Sequence, residues 1–389
     1  MVTGDLPPLW RSGLSGLSAT LVGVGLARFA YGPLLPAMVV AGWATPAGAA
    51  FIGAANLAGY LLGAVTARRL ASRFAPATLI RGMLAIASLA FLACAVDLGA
   101  GWLSAWRFAA GVAGALLVVL APPQVLAVAA PRQRGLLGGV IFTGVGIGVV
   151  LSATIVPSLI GHGLTSAWIA LAVTSSIVAA IGWTGWPPSG PLPPVAPPRH
   201  GEARMPPGVP ALLLVYGLNA LGLVPHMVFL VDFVSRGLGA GVAAGAWSWV
   251  AFGLGALIGP LAAGRLADHV GFARAIRIAL ALELAAVALP LASHALPTLM
   301  VSAAIAGAFT PGIVPLVLGR VQELVPVEER TRAWGWATIS FATAQAVAAY
   351  GLSAVFAVTG SHLPLFAIGA ASLLLALAID IAAAGPPRA

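Results

Sequence analysis

Apolar runs of about twenty residues or more follow one another through almost the whole 389-residue chain. This pattern constrains the fold more than any other feature of the sequence. A helix of that length crosses the roughly 30 Å hydrocarbon core of a bilayer. In lipid, only helices and closed barrels can satisfy their own backbone groups. Twelve runs can be delimited, at 12–40, 48–67, 75–96, 101–130, 136–160, 165–185, 209–235, 241–263, 272–293, 296–319, 333–358 and 361–384. Charged residues make up only 7% of the chain and hydrophobic ones 60%. The first figure excludes a soluble globule and the second excludes disorder.

The charges orient the spans. Lysine is absent, so the 19 basic residues are all arginine. With the N-terminus inside, sixteen fall on the inner side: Arg11, Arg68, Arg69, Arg73, Arg81, Arg132, Arg134, Arg199, Arg204, Arg265, Arg274, Arg277, Arg320, Arg330, Arg332 and Arg388. Arg236 alone falls outside, and Arg28 and Arg107 fall within spans. So lopsided a split places both termini in the cytoplasm. The net charge of +9 therefore reads as topology and not as affinity for nucleic acid. The single Cys94 rules out an intrachain disulfide and a cysteine-cluster metal site. The first apolar run, Leu14 to Val40, is too long for a cleavable signal peptide. No cofactor is expected. Without lysine there is no Walker motif, and the six widely separated histidines form no H-E-x-x-H pair, so neither ATP nor a catalytic metal is implied.

The chain reads as two halves. Residues 186–208 are proline-rich, a semi-rigid tether without a core of its own. The expected domains are an N-terminal six-helix bundle at 1–185, the cytoplasmic linker at 186–208 and a C-terminal six-helix bundle at 209–389. A shift of 196 residues lays Leu61, Gly63, Ala67, Arg69, Leu70 and Ala71 over Leu257, Gly259, Ala263, Arg265, Leu266 and Ala267, and Arg81 over Arg277. The fold class expected is thus an all-α membrane protein, with twelve transmembrane helices in two pseudo-symmetric six-helix bundles.

Between the eighth and ninth spans stands Gly264-Arg265-Leu266-Ala267-Asp268-His269-Val270-Gly271-Phe272-Ala273-Arg274. It resembles the loop signature of the major facilitator superfamily (MFS). The loop after the second span keeps Gly63, Arg69 and Arg73 but has Ser72 where the acid would stand. Arg107 to Gly114 resembles the R-x-x-x-G motif of the fourth span, and Gly144 to Gly148 is partly similar to the glycine-rich antiporter signature. The opening Gly25-Leu26-Ala27-Arg28-Phe29-Ala30-Tyr31-Gly32-Pro33-Leu34-Leu35-Pro36 resembles the YbfB/YjiJ-like branch, a group of bacterial permeases. The resemblance implies the MFS fold, a transporter and not an enzyme, and a place in the bacterial inner membrane. It also implies a role for Arg107 in proton coupling.

A charged residue in a span is costly and marks function by default. Arg28 lies 17 residues after Arg11, about 25 Å along a helix and so at or beyond the midplane. It sits on a face with Leu21, Gly25, Tyr31 and Leu35 at helical spacing. It either meets a substrate's negative group or locks the first bundle through an ion pair or a carbonyl contact. Arg107 lies on a stripe with Gly111, Gly114 and Val118, and either couples protons or snorkels to the outer interface. Asn56 and Tyr60 share a face, as do Asn219, Gly222 and His226. Trp334, Thr338, Phe341 and Gln345 form another stripe. These are substrate-contact candidates, with helix cross-linking and aromatic packing as the alternatives. His226, Asp232 and Glu283 are the candidate proton carriers of the second half. His226 and Asp232 stand about 120° apart on their helix. Arg320 and Glu323, three apart, suit an inner gate, and Asp268 with Arg265 and Arg274 suits a second.

The expected function is secondary active transport of a small organic solute, an anion by the two intramembrane arginines, driven by protons. The alternative is a proton-linked exporter of hydrophobic or cationic compounds. The expected partners are a small-molecule substrate, protons and the lipid bilayer, with no nucleic acid, and the protein is expected to be a monomer.

Overall fold

The computed structural model describes residues 7–193, 205–206 and 208–383, and every regular element among them is helical. The chain divides into two compact units, Met1–Pro198 and Arg199–Ala389. The first contains α1 (Leu9–Thr20), a π-helical segment (Leu21–Leu26), α2 (Tyr31–Val40), α3 (Pro46–Ala71), α4 (Pro76–Ala93), α5 (Ala100–Leu126), α6 (Arg134–Ile160) and α7 (Leu164–Ile181). The second contains α8 (Val209–Val224), a π segment (Pro225–Phe229), α9 (Leu230–Asp232), a second π segment (Phe233–Gly237), α10 (Gly241–Val270), α11 (Phe272–Ala292), α12 (Leu296–Leu324), α13 (Arg330–Thr359) and α14 (Leu363–Ala383). Among the described residues, ten helices are long and apolar enough to cross a membrane. The two further spans expected, 12–40 and 48–67, coincide with the interrupted α1–α2 stretch and with α3.

Two helix ends show local causes. Thr45 caps α3 by accepting a hydrogen bond from the Gly48 amide at 3.0 Å, and Pro46 at the first helical position has no amide to leave unpaired. The single residue between α10 and α11 is Gly271, at φ +83°, a backbone state open to glycine at no steric cost. The motif Gly264–Arg274, read above as an interspan loop, is therefore mostly helical. Gly264, Arg265 and Asp268 lie on the last turns of α10, because nothing breaks the helix before Gly271.

Helices in lipid gain nothing from hydrophobic burial against each other, so they associate through close backbone approach. Gly59 and Gly63 of α3 rest against the backbone of Phe108 and Val112 in α5, and Gly111 of α5 rests on Asn56 of α3. Shifted by 196, the same contacts recur in the second unit. Gly255 and Gly259 of α10 meet Ala304 and Ala308 of α12, and Gly307 of α12 meets Phe252 of α10. The repeat seen in the sequence is thus a repeat of backbone contacts. Gly144 and Gly148 of α6 do similar work: they pack on Leu17 with Thr20, and on Gly25, and hold no nucleotide loop.

Around these contacts, Leu26, Leu34, Met38, Ile52, Phe91 and Trp168 form the apolar core of the first unit. Val224, Phe229, Leu352 and Leu365 form one in the second. The start of the proline-rich segment is not a loose tether. Leu192 N–H donates to Ala71 O at 2.7 Å, Arg68 Nη2 to Pro193 O at 2.9 Å, and Trp186 is buried. Residues 194–204 and 207 of that segment, with Arg199 and Arg204, lie outside the described residues, as does Arg388.

Candidate functional site

The π-helical turn Leu21–Leu26 and the turn at 27–30 interrupt the first span just where Arg28 stands. π segments are rare and concentrate at functional positions. The continuous helical face expected from Leu21 to Leu35 is therefore absent. Arg28 is half-buried, with its guanidinium carbon 5.7 Å from the Tyr60 ring and 5.8 Å from the Phe29 ring, both within cation–π range.

Arg107 does not snorkel; it is 2% exposed. Its Nη1 donates to the carbonyl of Ala27 at 2.6 Å, and its guanidinium lies 4.7 Å over the Tyr31 ring. Tyr31 is fixed in turn by donating to Ala49 O at 2.6 Å. Asn56 Nδ2 donates to the Arg107 carbonyl at 2.9 Å, so its amide cross-links α3 to α5. Arg107 thereby ties α5 to the residue just before Arg28. Among the described residues no acid pairs with Arg107, and its buried Nε has no protein partner. Arg107 is thus a fully buried cation and Arg28 a half-buried one close by in the chain fold, both set among aromatic faces and carbonyls.

The second unit buries an acid instead. Asn219, His226 and Glu283 are all 0% exposed. Asn219 Nδ2 on α8 donates to Glu283 Oε2 on α11, while Asn219 Oδ1 and Glu283 Oε1 have no partner. Ser302 on α12 donates to Ala286 O at 2.7 Å, and its Oγ lies 2.6 Å from His226 Nε2. A serine hydroxyl has one proton, so His226 is the donor through Nε2. Its Nδ1 is left as a buried acceptor without a partner. Asn219 and His226 therefore face different helices, and Gly222, expected on the same face, packs on Gly369 and Leu373 of α14. On α13, Trp334 and Phe341 stack on Tyr216 at 6.3 and 4.7 Å, and Gln345 Nε2 donates to the Met227 sulfur at 3.3 Å. Thr338 turns back to the Trp334 carbonyl at 3.0 Å.

The turn between α9 and α10 carries a site of which sequence reading found only Asp232. Asp232 pairs with Arg236 through Oδ1, and with His362 Nε2 through Oδ2 at 2.8 Å. Phe233 packs on His362 and His294 at 5.5 and 5.7 Å. These groups line a cavity of about 470 Å³. His362 is 130 residues from Asp232, and no sequence spacing could have joined them.

A family model described as "Uncharacterised MFS-type transporter YbfB" matches residues 20–381. The chain belongs to this family. MFS proteins are transporters and not enzymes. No curated protein matches the sequence. Among solved structures, the human organic anion transporter MFSD10 (TETRAN) is 17% identical, with a TM-score of 0.75, over 96% of this chain and 100% of that one. The MFS proton:xylose symporter XylE is 16% identical, with a TM-score of 0.72, over 95% and 94%. The E. coli fucose:proton symporter FucP is 12% identical, with a TM-score of 0.73, over 96% and 98%. At these identities the likeness establishes the fold.

In this MFS chain the arginine-rich ends hold further pairs. Arg320 Nη1 meets Glu323 Oε2 at 2.7 Å, as their spacing suggested. Arg277, read above only as a topology signal, bonds Asp380 Oδ2 at 2.8 Å and ties α11 to α14. Gly63 and Arg69 stand on α3, and Arg73 in the turn that follows it. Gly271 separates α10 from α11, and Arg274 lies in the first turn of α11.

Proposed function

We propose that the protein is a proton-coupled permease that moves a small organic anion by alternating access, within a twelve-span, two-bundle arrangement. The observation that carries this reading is the Arg107 site: a guanidinium buried in the membrane, without an acid beside it. It is anchored to Ala27 O next to the half-buried Arg28. An isolated charge at that depth costs several kcal/mol, and a carboxylate drawn toward Arg28 and Arg107 would offset part of that cost. Arg28, with Tyr60 beside it, makes the first contact, and Tyr31 and Asn56 hold Arg107 in place. In the second half, Glu283 is the proton carrier, with Asn219 as its hydrogen-bond partner. Arg320 with Glu323, and Arg265, Asp268 and Arg274, act at the inner gate. The arginine distribution supports a bacterial inner-membrane location with both termini cytoplasmic, and a monomer suffices for the site.

A thermal-stabilisation screen of purified protein against mono- and dicarboxylates identifies the ligand, because a compound that binds the native state raises Tm. Arg28→Ala and Arg28→Lys then impair its transport while leaving folded protein. Full transport of the anion by Arg28→Ala would sink the reading. The second reading, a proton-linked exporter of hydrophobic or cationic compounds, is favoured by one observation, the Tyr216–Trp334–Phe341 aromatic cluster. It predicts stabilisation by aromatic cations instead, lost when Phe341 is replaced by alanine.

A further inference from the structure

We propose that the groove between α4 and α7 holds an acyl chain of an anionic phospholipid, with the lipid phosphate on Arg81. The groove encloses about 810 Å³ and is lined by Ala85, Leu89 and Leu92 of α4, and by Val173, Ile177 and Ala180 of α7. The hydroxyls of Ser88 and Ser176 that line it are both hydrogen-bonded within the protein. Ser88 Oγ and Ser175 Oγ lie 2.8 Å apart, and Ser88 also donates to Leu84 O at 3.0 Å. Leu89, Leu92, Val173 and Ile177 are each about half exposed, as groups facing lipid should be.

The ends of the groove differ. Arg81 lies one turn before Ala85, on the same stripe of α4. Its Nε donates to Trp183 O at 2.8 Å, which holds the guanidinium at the groove's end. Among the described residues its two Nη groups bond nothing. Trp183 itself lines the groove, and tryptophan is enriched at membrane interfaces.

Length and charge together point to the occupant. From Arg81 to Leu92 an α-helix rises about 16 Å, half of the roughly 30 Å hydrocarbon core. Leu92 is one residue from the end of α4, so the groove runs from the Arg81 end of the helix almost to its other end, long enough to take an acyl chain. Arg81 belongs to the arginine-rich face, and basic pockets between helices on the cytoplasmic side suit anionic headgroups. This inference does not depend on which solute is carried.

The test uses purified full-length protein in detergent, with Tm followed as phosphatidylglycerol, phosphatidylcholine or inorganic phosphate is added. Phosphatidylglycerol should raise Tm well beyond phosphatidylcholine. In Arg81→Gln its apparent affinity should fall about fivefold, with Tm in the absence of lipid unchanged. Arg81→Lys should keep the preference, and Val173→Trp, which fills the groove from an exposed position, should lose it. Equal shifts from the two lipids, full preference in Arg81→Gln, or the same shift from phosphate alone would each overturn the proposal.

Discussion

Replacing Glu283 by glutamine should leave the protein at least as stable as the parent, whereas alanine should damage it severely. The contact geometry sets the scale. Glu283 accepts from Asn219 Nδ2, and the facing atoms Asn219 Oδ1 and Glu283 Oε1 are both buried without a partner. A glutamine keeps the first bond and brings an N–H that can meet Asn219 Oδ1. One more buried hydrogen bond is worth about 1 kcal/mol. Alanine removes the acceptor and strands the Asn219 amide, at about 1–3 kcal/mol. It also empties a site that is 0% exposed, and truncation of a long buried side chain costs about 2 kcal/mol or more. The two variants should therefore differ by about 4 kcal/mol. Unfolding in detergent, followed by tryptophan fluorescence or by the loss of monodisperse protein, reads that order directly. A glutamine variant that unfolds together with the alanine variant would refute the reasoning, because the site would then need the carboxyl itself. In proteoliposomes, Glu283→Gln should also bind solute but lose the dependence of transport on a pH gradient.

Three further outcomes follow. Arg107→Met should change stability by less than about 2 kcal/mol, since the lost charged hydrogen bond, about 1.5–3 kcal/mol, is offset by relief of a buried cation, about 2.5–3.5 kcal/mol; carboxylate-dependent stabilisation should vanish in a thermal-shift assay. Gly111→Leu and Gly307→Leu should both abolish folded protein on size-exclusion chromatography, as each side chain would run into the carbonyl of Asn56 or Phe252, whereas Gly335→Ala, with open space around it, should gain about 0.5–1 kcal/mol. Asp380→Asn should cost about 1 kcal/mol by loss of the Arg277 pair, and the difference should shrink in high salt.

The membrane-spanning character and the internal repeat were legible in the sequence, because each rests on composition or on fixed spacing. The π-helical turns at Leu21–Leu26 and Pro225–Phe229 were not. A periodicity of 3.6 assumes an unbroken helix, so it drew a face through Arg28 that the backbone does not keep. Asn56 could be placed beside Tyr60 by counting, but its bond to the Arg107 carbonyl joins residues 51 apart. His362 stood alone at the start of a helix with no motif around it, and only folding sets it against Asp232. Glu283 was visible as a lone acid, while its partner Asn219 depends on how α8 meets α11.

The paired glycine contacts bear on how such a chain diverges after duplication. Arg107 stands one residue before Phe108, whose backbone receives Gly59; its counterpart, Ala303, stands one residue before Ala304, whose backbone receives Gly255. Both seats have the same backbone neighbourhood. One holds a guanidinium, and the other a fully buried methyl. The joints of the two halves match in this chain, while the adjoining positions carry different chemistry. A donor that charges one copy and an acid that charges the other can then arise by single substitutions, without disturbing how either copy is assembled.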